Sequence, residues 1–139
     1  MRFLDTNVVL YAILETKREL SKSELAIKSA SKEIMTRINT REDVLTTSSH
    51  VSEIANILES RQSRDFAREF LETFLLTERI RVFPVGRPSY LAAIELSKEY
   101  AIGINDCVAV IAMMQHGIRE IYSFDSDFDG IGGIKRVFE

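Results

Sequence analysis

The stretch NDCVAVIAMMQHG, residues 105–117, decides the fold class. Every residue from Cys107 to Met114 is apolar, so a helix formed here has no polar face and is buried on most of its sides. Asp106 lies in the predicted first turn, and Gly117 stands just past the last turn, where glycine commonly ends a helix. We therefore predict a central helix that packs inside a layered fold.

Five short segments elsewhere are rich in β-branched and aromatic residues, which is typical of strands. They are RFLD (2–5), DVLTTS (43–48), RIRVF (79–83), EIYSF (120–124) and IKRVF (134–138). Helical spacing of apolar residues predicts six helices between them. These cover residues 6–14, 21–38, about 51–58, 66–77, 88–100 and the central stretch. The alternation predicts an α/β fold with a mainly parallel central sheet of about five strands and helices on both faces.

Length and composition favour one globular domain over residues 1–139. Cys107 is the single cysteine, which excludes an internal disulfide and indicates a reducing compartment, so we expect a cytoplasmic protein. No segment resembles a signal peptide or approaches the roughly 20 apolar residues of a membrane span, so no membrane partner is expected. The formal charge of −3 gives no general attraction to nucleic acid, and any such contact must be local or mediated by metal.

The stretch SFDSDFDGIGGIKR, residues 123–136, resembles the start of a calcium-binding loop. Asp125, Asp127, Asp129 and Gly130 match its D-x-D-x-D-G pattern. The twelfth position of that loop requires a bidentate Glu, however, and Arg136 stands there. Both flanks also predict strands rather than helices, so we reject a calcium loop and treat Asp129 as a cap of the turn before the glycine.

Four acidic residues share one place in the predicted architecture. Asp5 ends the first strand, Asp125 ends the fourth, and Glu53 and Asp106 stand in the first turns of helices. In an open parallel sheet these positions meet at the carboxyl edge, where ligands bind, and Asp127 can join them from its loop. Clustered carboxylates repel one another unless a cation sits among them, and an oxygen-only cluster suits Mg²⁺ or Mn²⁺.

Each acid also has a purely structural interpretation. Asp106 or Asn105 can cap the central helix, Glu53 can be a solvated surface residue, and Asp5 can belong to a turn. These alternatives are independent of one another, whereas one metal site accounts for all four acids together.

Four motifs in order make the chain similar to the PIN-domain nucleases, and especially to the compact ribonuclease toxins called VapC. The motifs are FLDTNVVLY, VSEIANIL, INDCVAVIAM and SFDSDFDGI, and they span almost the whole chain. The resemblance implies a three-layer PIN-like fold and an Mg²⁺- or Mn²⁺-dependent endoribonuclease whose products carry 5′-phosphate and 3′-hydroxyl ends. We also expect a homodimer, and an antitoxin partner if the chain is the toxin of a type II toxin-antitoxin pair.

The resemblance assigns roles to individual residues. It implies Asp5, Glu53, Asp106 and Asp125 as catalytic metal ligands and Asp127 as an accessory acid. It implies polar support for these carboxylates from three further residues: Thr6, Asn7 and Ser123.

Guidance of RNA toward an acidic pocket requires basic residues. Arg61, Arg64 and Arg68 are candidates because their spacing predicts one shared helical face, although a solvated face paired with neighbouring acids is an equal alternative. The phenylalanines between residues 66 and 74 are expected to be core, or in part a dimer seam or an antitoxin groove.

Other functions fit less well. A receiver domain needs paired acids after the first strand, and an acidic phosphatase usually carries its D-x-D motif near the N-terminus. The alternatives that remain open are a PIN nuclease of RNA maturation and a PIN fold that binds nucleic acid or protein without catalysis.

Overall fold

The computed structural model describes residues 1–139 and contains one five-stranded sheet with the strand order β3-β2-β1-β4-β5. Every neighbouring pair of strands is parallel. The elements are β1 (Arg2–Leu4), α1 (Thr6–Ile13), α2 (Lys22–Thr40), β2 (Val44–Thr47), α3 (Ser48–Arg61), α4 (Arg64–Leu76), β3 (Ile80–Phe83), α5 (Arg87–Glu99), α6 (Ile104–Gln115), β4 (Glu120–Tyr122), a 3-10 helix (Ser126–Gly130) and β5 (Lys135–Val137).

Helices cover both faces of the sheet. They pack against the strand side chains, which point alternately to the two faces. On one face Leu4 and Val44 pack with apolar side chains of α1 to α4. On the other face Phe3 and Leu45 pack with α6 and with Phe128 of the 3-10 helix. The predicted three-layer α/β fold with a parallel central sheet is therefore confirmed.

The central helix α6 is buried as its sequence predicts. Six of its twelve residues are buried, including an unbroken run from Cys107 to Val110. The phenylalanines of α4 also belong to the core, since Phe74 is buried and Phe66 and Phe70 pack against the same cluster. None of the helices combines the length and the apolar character needed to cross a membrane.

Strands β1 and β4 are shorter than predicted, so Asp5 lies outside β1 and Asp125 does not directly follow β4. Asp5 follows β1 as the N-cap of α1, where its side chain accepts a hydrogen bond from the Thr6 amide. Asp125 lies three residues beyond β4 as the N-cap of the 3-10 helix. Both acids nevertheless stand at the carboxyl edge of the sheet, because β1 and β4 are adjacent and parallel.

Helix α3 begins earlier than its apolar spacing indicates. Thr47 caps it by accepting a hydrogen bond from the His50 amide, so the first helical residue is Ser48. Glu53 therefore lies in the second turn of α3, and its predicted place in the first turn was wrong. The extra turn projects Glu53 beside Thr6 of α1 and Asn105 of α6.

Candidate metal centre

Three carboxylates converge where α6 meets the loop after β4. Asp106, Asp125 and Asp127 each offer one oxygen, and these oxygens all lie within 4.8 Å of one another. Two oxygens bound to one divalent ion at about 2.0–2.5 Å are separated by no more than about 5 Å. The spacing and the all-oxygen donor set therefore fit an ion of the Mg²⁺ or Mn²⁺ class.

Asp5 is the most buried of the acids, with 6% of its surface exposed. Its Oδ1 accepts a hydrogen bond from the Thr6 amide at 2.8 Å, and its Oδ2 accepts one from the Ser123 hydroxyl at 2.7 Å. The carboxylate is thus clamped between the start of α1 and the end of β4.

Glu53 reaches the cluster from α3 and is half-buried. Its Oε2 accepts a hydrogen bond from Asn105 Nδ2 at 2.7 Å and a longer one from the Thr6 hydroxyl at 3.5 Å. Because both of these hydrogen bonds end on Oε2, the other oxygen remains available for a water or an ion.

The three residues predicted to support the acids lie among them. Ser123 Oγ donates to Asp5 and accepts hydrogen bonds from the Asp125 amide at 3.0 Å and from Asn7 Nδ2 at 3.3 Å. Asn7 Oδ1 accepts a further hydrogen bond from the Phe124 amide at 3.3 Å. Asn7 and Ser123 therefore join α1 to the loop that carries Asp125, while Thr6 contacts both Asp5 and Glu53.

Burial and mutual repulsion raise the pKa values of two of these acids. Burial raises the pKa of Asp5 to about 7, and the charges of Asp106 and Glu53 add to the effect, against hydrogen bonds from Ser123 and Thr6 that lower it. Burial also raises the pKa of Asp106 to about 6, with further contributions from Asp125, Glu53 and Asp127. The five acids thus form one electrostatic cluster, which a divalent cation would stabilise.

Asp129 is turned toward another partner. Its two carboxylate oxygens accept hydrogen bonds from the Arg136 guanidinium at 2.8 and 2.9 Å, and this ion pair lowers the pKa of Asp129. The prediction that Asp129 caps the turn was wrong, because Asp125 caps it by accepting a hydrogen bond from the Asp127 amide. Arg136, which stands where a calcium loop requires a bidentate Glu, is therefore the partner of Asp129.

The structure also tests the purely structural interpretations of the acids. Gly103 is the N-cap of α6 and no side chain caps that helix, so neither Asn105 nor Asp106 has this role. Asp5 does cap α1, and it does so while it belongs to the acid cluster. Glu53 is not a solvated surface residue, since two side chains bind its Oε2.

The three arginines proposed to guide RNA do not share a helical face, and that prediction was wrong. Arg61 is the last residue of α3, and Arg64 is the first residue of α4. The helix is broken between them because Ser63 caps α4 by accepting a hydrogen bond from the Phe66 amide. Arg68 forms an exposed ion pair with Asp65, as the solvated-face alternative predicts.

Sequence reasoning missed two polar residues beside the cluster. Asn105 was considered only as a cap, yet it binds Glu53 and accepts a hydrogen bond from the Ser49 hydroxyl at 2.6 Å. His50 is 1% exposed, and its Nε2 lies 4.0 Å from Asp5 Oδ1. The signal for His50 was its position three residues before Glu53, which places both side chains on one face of α3.

A cavity of about 750 Å³ lies at the opposite, amino edge of the sheet. Arginines and acids line it, and most of them neutralise one another. Arg2 pairs with Glu42 and Glu120, and Arg79 pairs with Asp43. The candidate chemistry therefore lies at the acid cluster on the carboxyl edge.

Comparisons with known proteins bear on the family and the fold of the chain. The family model described as PIN domain matches residues 2–134. Among solved structures, VapC20 of Mycobacterium tuberculosis, described as a sarcin-ricin loop cleaving toxin, is 21% identical, with 95% of each chain covered and a TM-score of 0.73. VapBC2 of Rickettsia felis, bound to a DNA fragment from its promoter, is 15% identical, with 98% of this chain and 96% of that chain covered and a TM-score of 0.69.

A toxin-antitoxin complex from Klebsiella pneumoniae is also similar, at 12% identity, with 97% of this chain and 96% of that chain covered and a TM-score of 0.65. At these identities the likeness is one of fold. No curated protein sequence matches the chain significantly.

Proposed function

The chain belongs to the PIN domain family, and we propose that it is a metal-dependent endoribonuclease that hydrolyses phosphodiester bonds of RNA. The observation that carries the proposal is the convergence of five acids from α1, α3, α6 and the loop after β4. An acid cluster in which two pKa values are raised destabilises the fold at neutral pH unless a cation offsets the repulsion. Such clusters are typical of functional sites. The whole chain forms one PIN domain in this proposal.

Asp5, Glu53, Asp106 and Asp125 are the proposed metal-binding set, with Asp127 as an accessory acid. A bound Mg²⁺ or Mn²⁺ supplies a Lewis acid that polarises a phosphoryl oxygen and lowers the pKa of a bound water. The hydrogen bonds from Asn105 and Thr6 hold Glu53 in place, so its free oxygen can orient the attacking water. Ser123 holds Asp5 and the Asp125 backbone together and preserves the spacing of the cluster.

RNA as the substrate and a toxin as the biological role rest on the similar structures. One of these is described as a sarcin-ricin loop cleaving toxin, and two others come from toxin-antitoxin systems. We therefore extend the proposal to the toxin of a type II toxin-antitoxin pair that acts in the cytoplasm, forms a homodimer and is inhibited by an antitoxin protein. A nuclease of RNA maturation and a binding-only PIN domain remain the alternatives.

Cleavage of RNA by the purified protein should depend on a divalent metal. We expect products with 5′-phosphate ends when an RNA pool is incubated with Mg²⁺ or Mn²⁺, and no products when EDTA is added. The test is gel analysis of end-labelled RNA, with double-stranded DNA as a control substrate. Binding of RNA without cleavage in any metal would favour the binding-only alternative, and products formed in EDTA would rule out the metal mechanism.

A further inference from the structure

His50 is a buried histidine whose contacts the fold alone does not explain. Its ring is 1% exposed and makes an edge-to-face contact with Phe3, with ring centroids 5.1 Å apart. Nδ1 lies 2.6 Å from the Thr47 hydroxyl, whereas Nε2 has no hydrogen-bond partner. A buried polar atom without a partner is costly, and Asp5 Oδ1 lies 4.0 Å from this one.

The hydrogen bonds around His50 determine which ring nitrogen carries the proton. Ser49 gives its hydroxyl proton to Asn105 Oδ1, so it can only accept a hydrogen bond from Thr47. Thr47 has one hydroxyl proton, which goes either to Ser49 or to His50 Nδ1.

The charge of Asp5 decides between these two arrangements. If the Thr47 proton goes to Ser49, Nδ1 must be protonated, and the bare lone pair of Nε2 then faces the Asp5 carboxylate. If it goes to Nδ1, the ring proton is on Nε2 and points toward that carboxylate. An ionised Asp5 therefore selects the neutral Nε2–H tautomer of His50.

This tautomer limits how Asp5 can bind a cation. Each carboxylate oxygen has two lone pairs. Oδ1 already accepts a hydrogen bond from the Thr6 amide, and Oδ2 accepts one from Ser123. An Nε2–H donor would occupy the second lone pair of Oδ1, so that only one lone pair, on Oδ2, would remain for a cation. The present 4.0 Å separation is longer than a hydrogen bond, but contacts at active sites commonly shorten in the functional complex.

We propose that His50 is a positioning residue, which donates a hydrogen bond from Nε2 to Asp5 Oδ1 and so directs the remaining lone pair of Asp5 Oδ2 toward a divalent cation. This role rests on the proposed function, since it concerns the same acid cluster. In this arrangement Thr47 donates to His50 Nδ1 and Ser49 donates to Asn105 Oδ1, so Thr47 and Ser49 share no hydrogen bond and Asn105 orients Glu53 separately.

Two substitutions separate positioning from packing. His50→Phe keeps an aromatic ring against Phe3 but removes the donor, whereas His50→Gln provides an amide nitrogen near the place of Nε2. We expect His50→Phe to weaken Mn²⁺ binding about 10- to 100-fold and to lower the single-turnover rate by a similar factor, as losses of orienting hydrogen bonds commonly do. His50→Gln should stay within about threefold of the parent protein, because it restores the donor.

The measurements are Mn²⁺ titration monitored by electron paramagnetic resonance, single-turnover cleavage, thermal unfolding, and the ¹⁵N NMR tautomer of His50 in the parent. Unchanged Mn²⁺ affinity in His50→Phe, equal losses in both variants, or a proton on Nδ1 in the Mn²⁺-free parent at pH 8 would overturn the proposal. If the parent cleaves no RNA, the ribonuclease function fails. The Mn²⁺ affinities and the tautomer then still decide the role of His50, and the tautomer does so even if His50→Phe does not fold.

Discussion

Replacing Asp106 by asparagine is expected to reduce single-turnover RNA cleavage at least about 100-fold while it leaves the fold intact. Asp106 lies at the centre of the cluster, because its carboxylate stands within 4.8 Å of both Asp125 and Asp127 and its pKa responds to three other acids. Asparagine keeps the shape but contributes no negative charge to hold the cation. Asp5→Asn should cause a loss of the same size. Asparagine keeps the shape of the side chain beside Thr6 and Ser123, but it has no negative charge to hold the cation.

The same two substitutions should stabilise the protein at neutral and alkaline pH. Asp5→Asn removes a buried charge while asparagine retains the ability to cap α1, so we expect the free energy of unfolding to rise by on the order of 2 kcal/mol at pH 8 without metal. Chemical denaturation of both variants at pH 5 and pH 8 measures this. Cleavage at the parental rate would place the active site elsewhere, and strong destabilisation would show that these acids serve the fold.

The sign of the pH dependence follows from the raised pKa of Asp5. An unfolded aspartate has a pKa of about 3.9, whereas that of folded Asp5 is about 7. The folded protein therefore binds more protons between these values, and this residue makes stability fall as pH rises from about 4 to about 7. Burial lowers the pKa of His50 to about 4. This residue therefore makes stability rise as pH rises from about 4 to about 6.5, which opposes the contribution of Asp5. The difference between parent and Asp5→Asn isolates the contribution of Asp5.

The three aspartates of the loop after β4 should lose activity in a fixed order when each is replaced by asparagine. Asp125→Asn should lower the rate about 100-fold or more, because Asp125 is both a member of the carboxylate triplet and the cap that positions Asp127. Asp127→Asn should cost less, since Asp127 is the exposed member of the triplet. Asp129→Asn should retain the parental rate, because its carboxylate pairs with Arg136 outside the cluster.

Single-turnover cleavage at saturating Mn²⁺ tests this order, with thermal unfolding of each variant as the control for folding. Asp129→Asn is the matched control, since it makes the same chemical change four residues away from Asp125. Equal losses in all three variants would favour a calcium-type loop in which every aspartate is a ligand. A larger loss in Asp129→Asn than in Asp125→Asn would contradict the observed geometry.

Much of this architecture was predictable because it depends on local patterns. The alternation of strands and helices predicts the parallel sheet, and the parallel sheet predicts that residues after β1 and β4 meet at one edge. Asp5, Asp106 and Asp125 were placed at that edge for this reason. The apolar run of α6 likewise predicts its central position without any knowledge of its neighbours.

The errors arose where a single side chain changes a helix boundary. Thr47 starts α3 one turn earlier than the apolar spacing indicates, and Ser63 interrupts the helix between Arg61 and Arg64. The position of His50 against Asp5 was also beyond prediction, since it depends on the packing of α3 beside α1. Such contacts between elements distant in the chain have no counterpart in sequence spacing.

Direct measurement of Mn²⁺ binding tests the central claim that the acid cluster is a metal site. Electron paramagnetic resonance titration should show Mn²⁺ bound by the parent and released by excess Mg²⁺. The account predicts that Asp106→Asn loses this binding and that Asp129→Asn keeps it. A parent that binds no Mn²⁺, or an Asp106→Asn variant that binds it with unchanged affinity, would contradict the account.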